Sequence, residues 1–173
     1  GAMHLMVEAL NNLRAKGYQI SDDEMEAAEI AILLHDIGHG PFSHVLEYTL
    51  LNHVHHEEIS NLIMEKLNKH FNGRLNLAIS MFDDSYSRKF FHQLISSQLD
   101  VDRLDYLSRD SFYTGVREGF IGSERLLSML DLQDENLVME EKGIYSIENF
   151  LMARRLMYWQ VYLHKTAIAG ETM

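Results

Sequence analysis

The chain has 173 residues, ten histidines, no cysteine and a formal net charge of −11. Without cysteine, disulfides and thiolate metal sites are excluded, and an acidic surface gives no general reason to bind nucleic acid polyanions. Hydrophobic residues make up 46% and charged residues 24%, a balance that fits a folded domain with a real core rather than a disordered chain. No apolar run approaches the roughly 18 residues of a membrane span, and no basic start followed by a long apolar stretch marks a secretory leader. A cytoplasmic setting is the expectation.

Helical periodicity dominates in chain order. From Met3 to Lys16, apolar residues at Met3, Met6, Val7, Leu10 and Leu13 follow a 3.6-residue period, and Gly17 ends the helix. Ser21 with Glu24 reads as a capping box that opens a second helix, which runs through Leu33 and breaks near Gly38 and Gly40. The only proline, Pro41, suits the first turn of a short helix from Phe42 to Leu51. Further helices are predicted over Glu57 to Phe71, Leu75 to Met81, Ser87 to Ser97, Val101 to Phe112 and Ser123 to Leu130. Strand-like alternation occurs at Leu137 to Glu141 and Ile144 to Ser146, so Lys142 and Gly143 are read as a hairpin turn. A long amphipathic helix from Glu148 to Ala169 closes the pattern. The expectation is one all-α domain over residues 1–173 with at most a small hairpin near 137–146. The helical pattern at both ends reads as a fragment cut at each, and Gly1-Ala2-Met3 reads either as native sequence or as a cloning scar.

The histidines cluster between His35 and His56. Within Leu34-His35-Asp36-Ile37-Gly38-His39-Gly40-Pro41-Phe42-Ser43-His44, an apolar helix delivers an imidazole and a carboxylate side by side and then breaks at glycine. Borderline and hard divalent metals accept both ligand types. A His-Asp pair alone is weak evidence, since histidine at a helix C-terminus also complements the dipole. A second string, Ser97-Gln98-Leu99-Asp100-Val101-Asp102-Arg103-Leu104-Asp105-Tyr106-Leu107-Ser108-Arg109-Asp110, falls on a helix. There Asp102, Arg103, Tyr106 and Asp110 lie within an arc of roughly 100°. One face thus offers a metal carboxylate, a cation, a phenol and a second carboxylate. A solvated charged face is the plainer alternative, against which the tyrosine among the charges speaks. In the last helix Arg154, Tyr158, Tyr162 and Lys165 share a stripe, which equally suits a subunit contact.

Together the two strings resemble the signature of the HD superfamily, in the branch that contains deoxynucleoside triphosphate triphosphohydrolases, and the likeness covers essentially the whole chain. It implies an all-α fold and a divalent metal (Mg, Mn, Zn, Fe or Ni) held by His35, Asp36 and Asp102. It implies phosphate contact by Arg103, sugar or phosphate contact by Tyr106 and Asp110, and nucleotide contact by Arg154 and Tyr162. His39 and His44 would face the phosphates, and His56 with Glu47 would support proton transfer, an acid partner being what raises imidazole basicity. His53 and His55 are read as surface residues. The family places its first metal histidine before a Ser-Leu-Gly step entering the first helix. If Gly1 is that glycine, the histidine lies just upstream, and His4 sits too late along the helix to replace it.

The implied reaction is hydrolysis of a deoxynucleoside triphosphate to deoxynucleoside and triphosphate by a homo-oligomeric enzyme. Hydrolysis of a nucleotide monophosphate or an alarmone is the second reading. The cyclic-dinucleotide branch is disfavoured, since its Gly-Tyr-Pro motif is absent. A nucleotide-sensing module without turnover is the rival from another class.

Overall fold

A computed structural model describes residues 1–40 and 55–172. The predicted helix from Phe42 to Leu51, with His44 and Glu47, lies outside the described residues. Helix α1 (Ala2–Ala15) buries Met6, Ala9, Leu10 and Leu13, and Gly17 follows it at a φ of +100°, which a glycine adopts without strain. Helix α2 (Asp22–Leu34) starts at the predicted capping box. The Ser21 hydroxyl accepts from the Glu24 amide at 3.2 Å, and the Glu24 carboxylate accepts from the Ser21 amide at 2.8 Å. Its buried face carries Ala27, Ala28, Ala31 and Ile32, small enough for α1 to pack closely against it.

Helices α3 (His56–His70), α4 (Asn76–Phe82) and α5 (Lys89–Ile95) continue the core with Met64, Ala78, Met81, Phe90, Phe91 and Leu94. Helix α6 (Val101–Thr114) is capped by Asp100, buries Val101, Leu104, Leu107 and Ser111, and ends on Gly115 in the left-handed region. Helix α1 packs against both α2 and α6. The short helix α7 (Ser123–Ser128) then leads into the sheet. The fold is all-α with one two-stranded hairpin, and no described helix is long and apolar enough to cross a membrane.

The hairpin is displaced from its expected place. Strands β1 (Leu130–Gln133) and β2 (Asn136–Met139) pair antiparallel, from Leu130 opposite Met139 to Gln133 opposite Asn136. The turn is Asp134-Glu135, both at positive φ, the geometry of a two-residue hairpin loop without its usual glycine. The tip is held from outside: the Phe90 amide donates to the Glu135 carbonyl at 2.9 Å, and Arg88 pairs with the Glu135 carboxylate at 2.7 Å. Lys142-Gly143 is not a hairpin turn, because Glu141–Gly143 forms a 3-10 turn and Ile144 opens helix α8 (Ile144–Met157). Gly143 has an ordinary negative φ. It is small because a Cβ there would press on Met139 and on Met129 at 3.0–3.1 Å. The sequence signal was close packing beneath the hairpin rather than a reversal of the chain.

The expected last helix is also interrupted. After α8, residues Tyr158–Tyr162 form a π turn, Leu163 and His164 leave the helix, and α9 (Lys165–Thr172) follows. A π turn advances the chain by less than an α turn per residue, so side chains on either side no longer keep one stripe.

Candidate metal centre

His35 is the residue at which α2 ends. Its Nδ1 lies 2.7 Å from the Ile32 carbonyl, so this nitrogen donates and Nε2 is left as the ligating atom. The next turn is tight, with the Ile37 amide bonded to the Leu34 carbonyl and the His39 amide to the Asp36 carbonyl, each at 3.1 Å. Ser60 of α3 staples this turn: its hydroxyl donates to the His35 carbonyl at 2.7 Å and accepts from the Gly38 amide at 2.9 Å. Gly38 must be glycine here, since a Cβ would collide with the His56 carbonyl and the Ser60 amide.

Asp102 comes from the first turn of α6. The His35 Nε2 is 3.3 Å from the Asp36 Oδ1 and 3.6 Å from the Asp102 Oδ1. Donor atoms of His35, Asp36 and Asp102 all lie within 4.8 Å of one another, close enough to share one ion. His35 Nε2 is buried and has no hydrogen-bond partner. A buried polar atom in that state is costly, and a cation at the convergence point would satisfy it. The donor set of one imidazole and two carboxylates suits a borderline or hard divalent ion. Burial by itself disfavours protonated His35, but contact with Asp102 and the charges of Asp36 and Asp102 outweigh it and raise the imidazole pKa. The same negative field would hold a cation.

His39 and His56 stand beside the trio. Their rings stack with centroids 3.9 Å apart and planes 16° apart, and the His39 Nε2 is 3.6 Å from the Asp36 Oδ1. The cluster forms one wall of a cavity of about 490 Å³, to which Arg103, Tyr106, Arg109 and Tyr158 also contribute. Arg103 is anchored through Nε, which donates to the Ser97 carbonyl at 2.8 Å and to Asp100 at 3.0 Å. Burial disfavours the charged guanidinium, but the Asp100 carboxylate overcomes this and keeps its pKa raised.

Of the residues singled out in the sequence, His35, Asp36, His39, His56, Asp102, Arg103 and Tyr106 all face this cavity. Asp110 and Tyr162 meet each other instead, the phenol donating to the carboxylate at 2.7 Å. Burial and that hydrogen bond raise the Tyr162 pKa far above its ordinary value. Tyr162 also meets Tyr106 and Tyr158 edge to face, which places the pair directly behind the cavity's aromatic side. Arg154 donates to the Gln98 side chain at 2.9 Å and lies over the Tyr158 ring. His4 is not among the residues lining this cavity; it is exposed, pairs with Glu8 at 3.4 Å, and borders an apolar groove with Met3 and Leu33.

Asp100, Glu57, Arg109 and Tyr158 line the cavity without having been assigned a role. Two left a readable signal: Asp100 stands at the N-cap position of a predicted helix, and Tyr158 belongs to the noted stripe. Which member of that stripe reaches the cavity depends on the π turn, which periodicity does not reveal.

A helical scaffold that sets a His-Asp pair against an aspartate of a distant helix matches the class to which the sequence resemblance points. The HD domain family matches residues 2–110 and the HD associated region matches residues 121–173, so the chain belongs to the HD-domain family. Uncharacterized protein YwfO of Bacillus subtilis is 37% identical over 162 residues, covering 88% of this chain and 36% of that protein. The deoxynucleoside triphosphate triphosphohydrolase SAMHD1 homolog of Dictyostelium discoideum is 28% identical over 192 residues, covering 100% of this chain and 37% of that protein. Among solved structures, a phosphohydrolase from Bacteroides thetaiotaomicron superposes with a TM-score of 0.95 at 65% identity, over 99% of this chain and 42% of that one. The chain therefore spans well under half the length of each of these relatives.

Proposed function

We propose that this chain carries the active site of a metal-dependent phosphohydrolase acting on nucleotides, and that its reaction is hydrolysis of a deoxynucleoside triphosphate to deoxynucleoside and triphosphate. The observation that carries the reading is the buried His35 Nε2, without a hydrogen-bond partner and in ionic contact with Asp36 and Asp102, on the wall of a cavity that also holds Arg103. A purely structural core has no use for that arrangement. The cavity's volume falls within the range of small-molecule sites.

His35, Asp36 and Asp102 would hold the ion, which when bound lowers the pKa of water and polarises a phosphoryl oxygen. Arg103 would meet negative charge on the phosphates as it builds up during attack. His39 and His56 line the same space; by the family resemblance His56 with Glu47 would support proton transfer, and His39 and His44 would face the phosphates. Tyr106 would contact the sugar or phosphate, and Arg154, Asp110 and Tyr162 would bear on the nucleotide from the aromatic side. The triphosphate-releasing chemistry draws its support from the SAMHD1-like relative and from the two sequence strings.

The test is a product assay on the whole protein loaded in turn with Mg, Mn, Zn, Fe and Ni. Each of the four deoxynucleoside triphosphates is supplied, and products are resolved by chromatography and phosphorus NMR. Deoxynucleoside and inorganic triphosphate in equal amounts are expected. Release of monophosphate, turnover of a nucleotide monophosphate or alarmone instead, or binding without turnover would replace this reading with one of its rivals.

A further inference from the structure

Asp100 is among the few buried charged residues described, 4% exposed, and no step of the proposed reaction uses it. It does two separate jobs with its two oxygens. Oδ1 accepts from the Arg103 backbone amide at 2.7 Å, the bond that caps α6. Oδ2 accepts from the Ser97 amide at 3.1 Å and from the Arg103 Nε at 3.0 Å. The Ser97 carbonyl shares the same Nε–H, at 2.8 Å, in a bifurcated hydrogen bond. The bonds to Ser97 and Asp100 are both made by Nε and do not use the two terminal nitrogens; the guanidinium also interacts with Tyr106, and Arg103, Asp100 and Tyr106 all line the cavity.

This geometry has a consequence for anion binding. A guanidinium free to rotate loses side-chain entropy each time it closes on a phosphate. One locked through Nε by a buried carboxylate has lost that freedom in advance, and its flat fork is presented in one orientation. Although Asp100 lines the cavity, both of its carboxylate oxygens already accept from donors of the protein. A serine in its place would keep the cap on α6, since a short hydroxyl satisfies the same amide. It would not reach Nε.

We propose that Asp100 is a positioning residue that holds the Arg103 guanidinium aimed into the cavity for the phosphates of the substrate, separately from its role as the cap of α6. This rests on the phosphohydrolase reading only for the identity of the substrate. The chemistry recognised is a polyphosphate group, and inorganic triphosphate is the probe.

The experiment compares Asp100→Ser, Asp100→Asn, Arg103→Ala and the double variant Asp100→Ser with Arg103→Ala in the whole protein. Triphosphate binding is measured by calorimetry at fixed low salt, alongside KM and kcat for the best nucleotide substrate. Asp100→Ser is expected to weaken triphosphate binding by about tenfold, the scale of one hydrogen bond to a charged group. It should raise KM rather than lower kcat, and it should leave the melting temperature close to that of the parent because the cap survives. On the Arg103→Ala background the same change should have less than about a twofold effect, since there is no guanidinium left to position. Should Asp100→Ser prove too unstable to purify, Asp100→Asn carries the same comparison, because it keeps a cap oxygen and removes the charge opposite Nε. Effects of Asp100→Ser and Arg103→Ala that simply multiply would overturn the proposal, as would wild-type binding that no Asp100 variant alters or a wild type that does not bind triphosphate. Coupling in the calorimetry with no turnover of any nucleotide would leave this proposal standing and sink the phosphohydrolase reading instead.

Discussion

The Nε2 of His35 and the Oδ1 of Asp102 lie 3.6 Å apart, although one side chain closes α2 and the other opens α6. Helix α1 packs against both helices and so sets the distance. Removing either side chain should therefore abolish the shared site without unfolding the protein. For His35→Ala and Asp102→Ala, metal affinity is expected to fall by at least about tenfold, the lower end of what even outer-shell changes cost. His4→Ala should leave it unchanged, because His4 pairs with Glu8 and is not among the residues of the cluster or its cavity. Metal content after dialysis against graded chelator checks all three, and retention of full affinity by Asp102→Ala would remove Asp102 from the ligand set.

Ser60 offers a test of how the His-Asp turn is held. Ser60→Ala leaves the Gly38 amide and the His35 carbonyl without their shared partner in a fully buried position. The expected cost is about 1–3 kcal/mol of stability, the penalty for stranded buried groups. Gly38→Ala should be worse, because the new methyl meets backbone of α3 rather than a movable side chain. Urea denaturation ranks the two, and a Gly38→Ala protein as stable as wild type would contradict the close approach.

The pH dependence of stability is expected to carry a signature of Glu24. The residue is 8% exposed, and burial alone would raise its carboxyl pKa. The Ser21 amide, Arg88 at 2.9 Å and the Tyr86 hydroxyl at 2.8 Å outweigh burial and hold it below the ordinary value of 4.5. A carboxyl depressed on folding stabilises the protein above the unfolded value and loses that contribution as pH falls through the folded one. Urea midpoints should thus decline below pH 4.5 more steeply in wild type than in Glu24→Gln. The variant should be about 1–3 kcal/mol less stable at neutral pH. Parallel acid limbs for the two proteins would count against this account.

Tyr158 should separate contacts to the nucleoside from contacts to phosphate. It lines the cavity, touches Tyr162 edge to face, and lies under Arg154. Tyr158→Ala is expected to weaken nucleotide binding by about fivefold to tenfold, in line with loss of one aromatic contact, and to leave inorganic triphosphate binding within about twofold. Equal losses for both ligands would place Tyr158 at the phosphates.

Much of the fold and part of the site could be read from residue order. The capping box at Ser21 and Glu24 formed as read, because its bonds span only three residues. The period of α1 marks its buried face, Met6, Leu10 and Leu13, for the same reason: helix geometry is set within a few turns. The His-Asp pair before a glycine break and the Asp102-Arg103-Tyr106 face were legible as local strings, and the structure brings them to one cavity.

What residue order left open depends on contacts between distant segments. The hairpin turn at Asp134-Glu135 has no glycine, and its tip is held by Phe90 and Arg88 of a remote segment. Gly143 imitates a turn because methionines crowd it from the sequence before. Glu24 is legible as a cap, yet its bonds to Tyr86 and Arg88 are not. The π turn decides that Tyr158 faces the cavity while Tyr162 bonds to Asp110. By itself the sequence determined most of the described helices and marked the side chains that are candidates for chemistry, since backbone hydrogen bonds and helical phase are short-range. Only the tertiary structure decided which of those side chains meet, because the packing of helices distant in the chain, with α1 against both α2 and α6, and not spacing along the chain, sets the distance from His35 to Asp102.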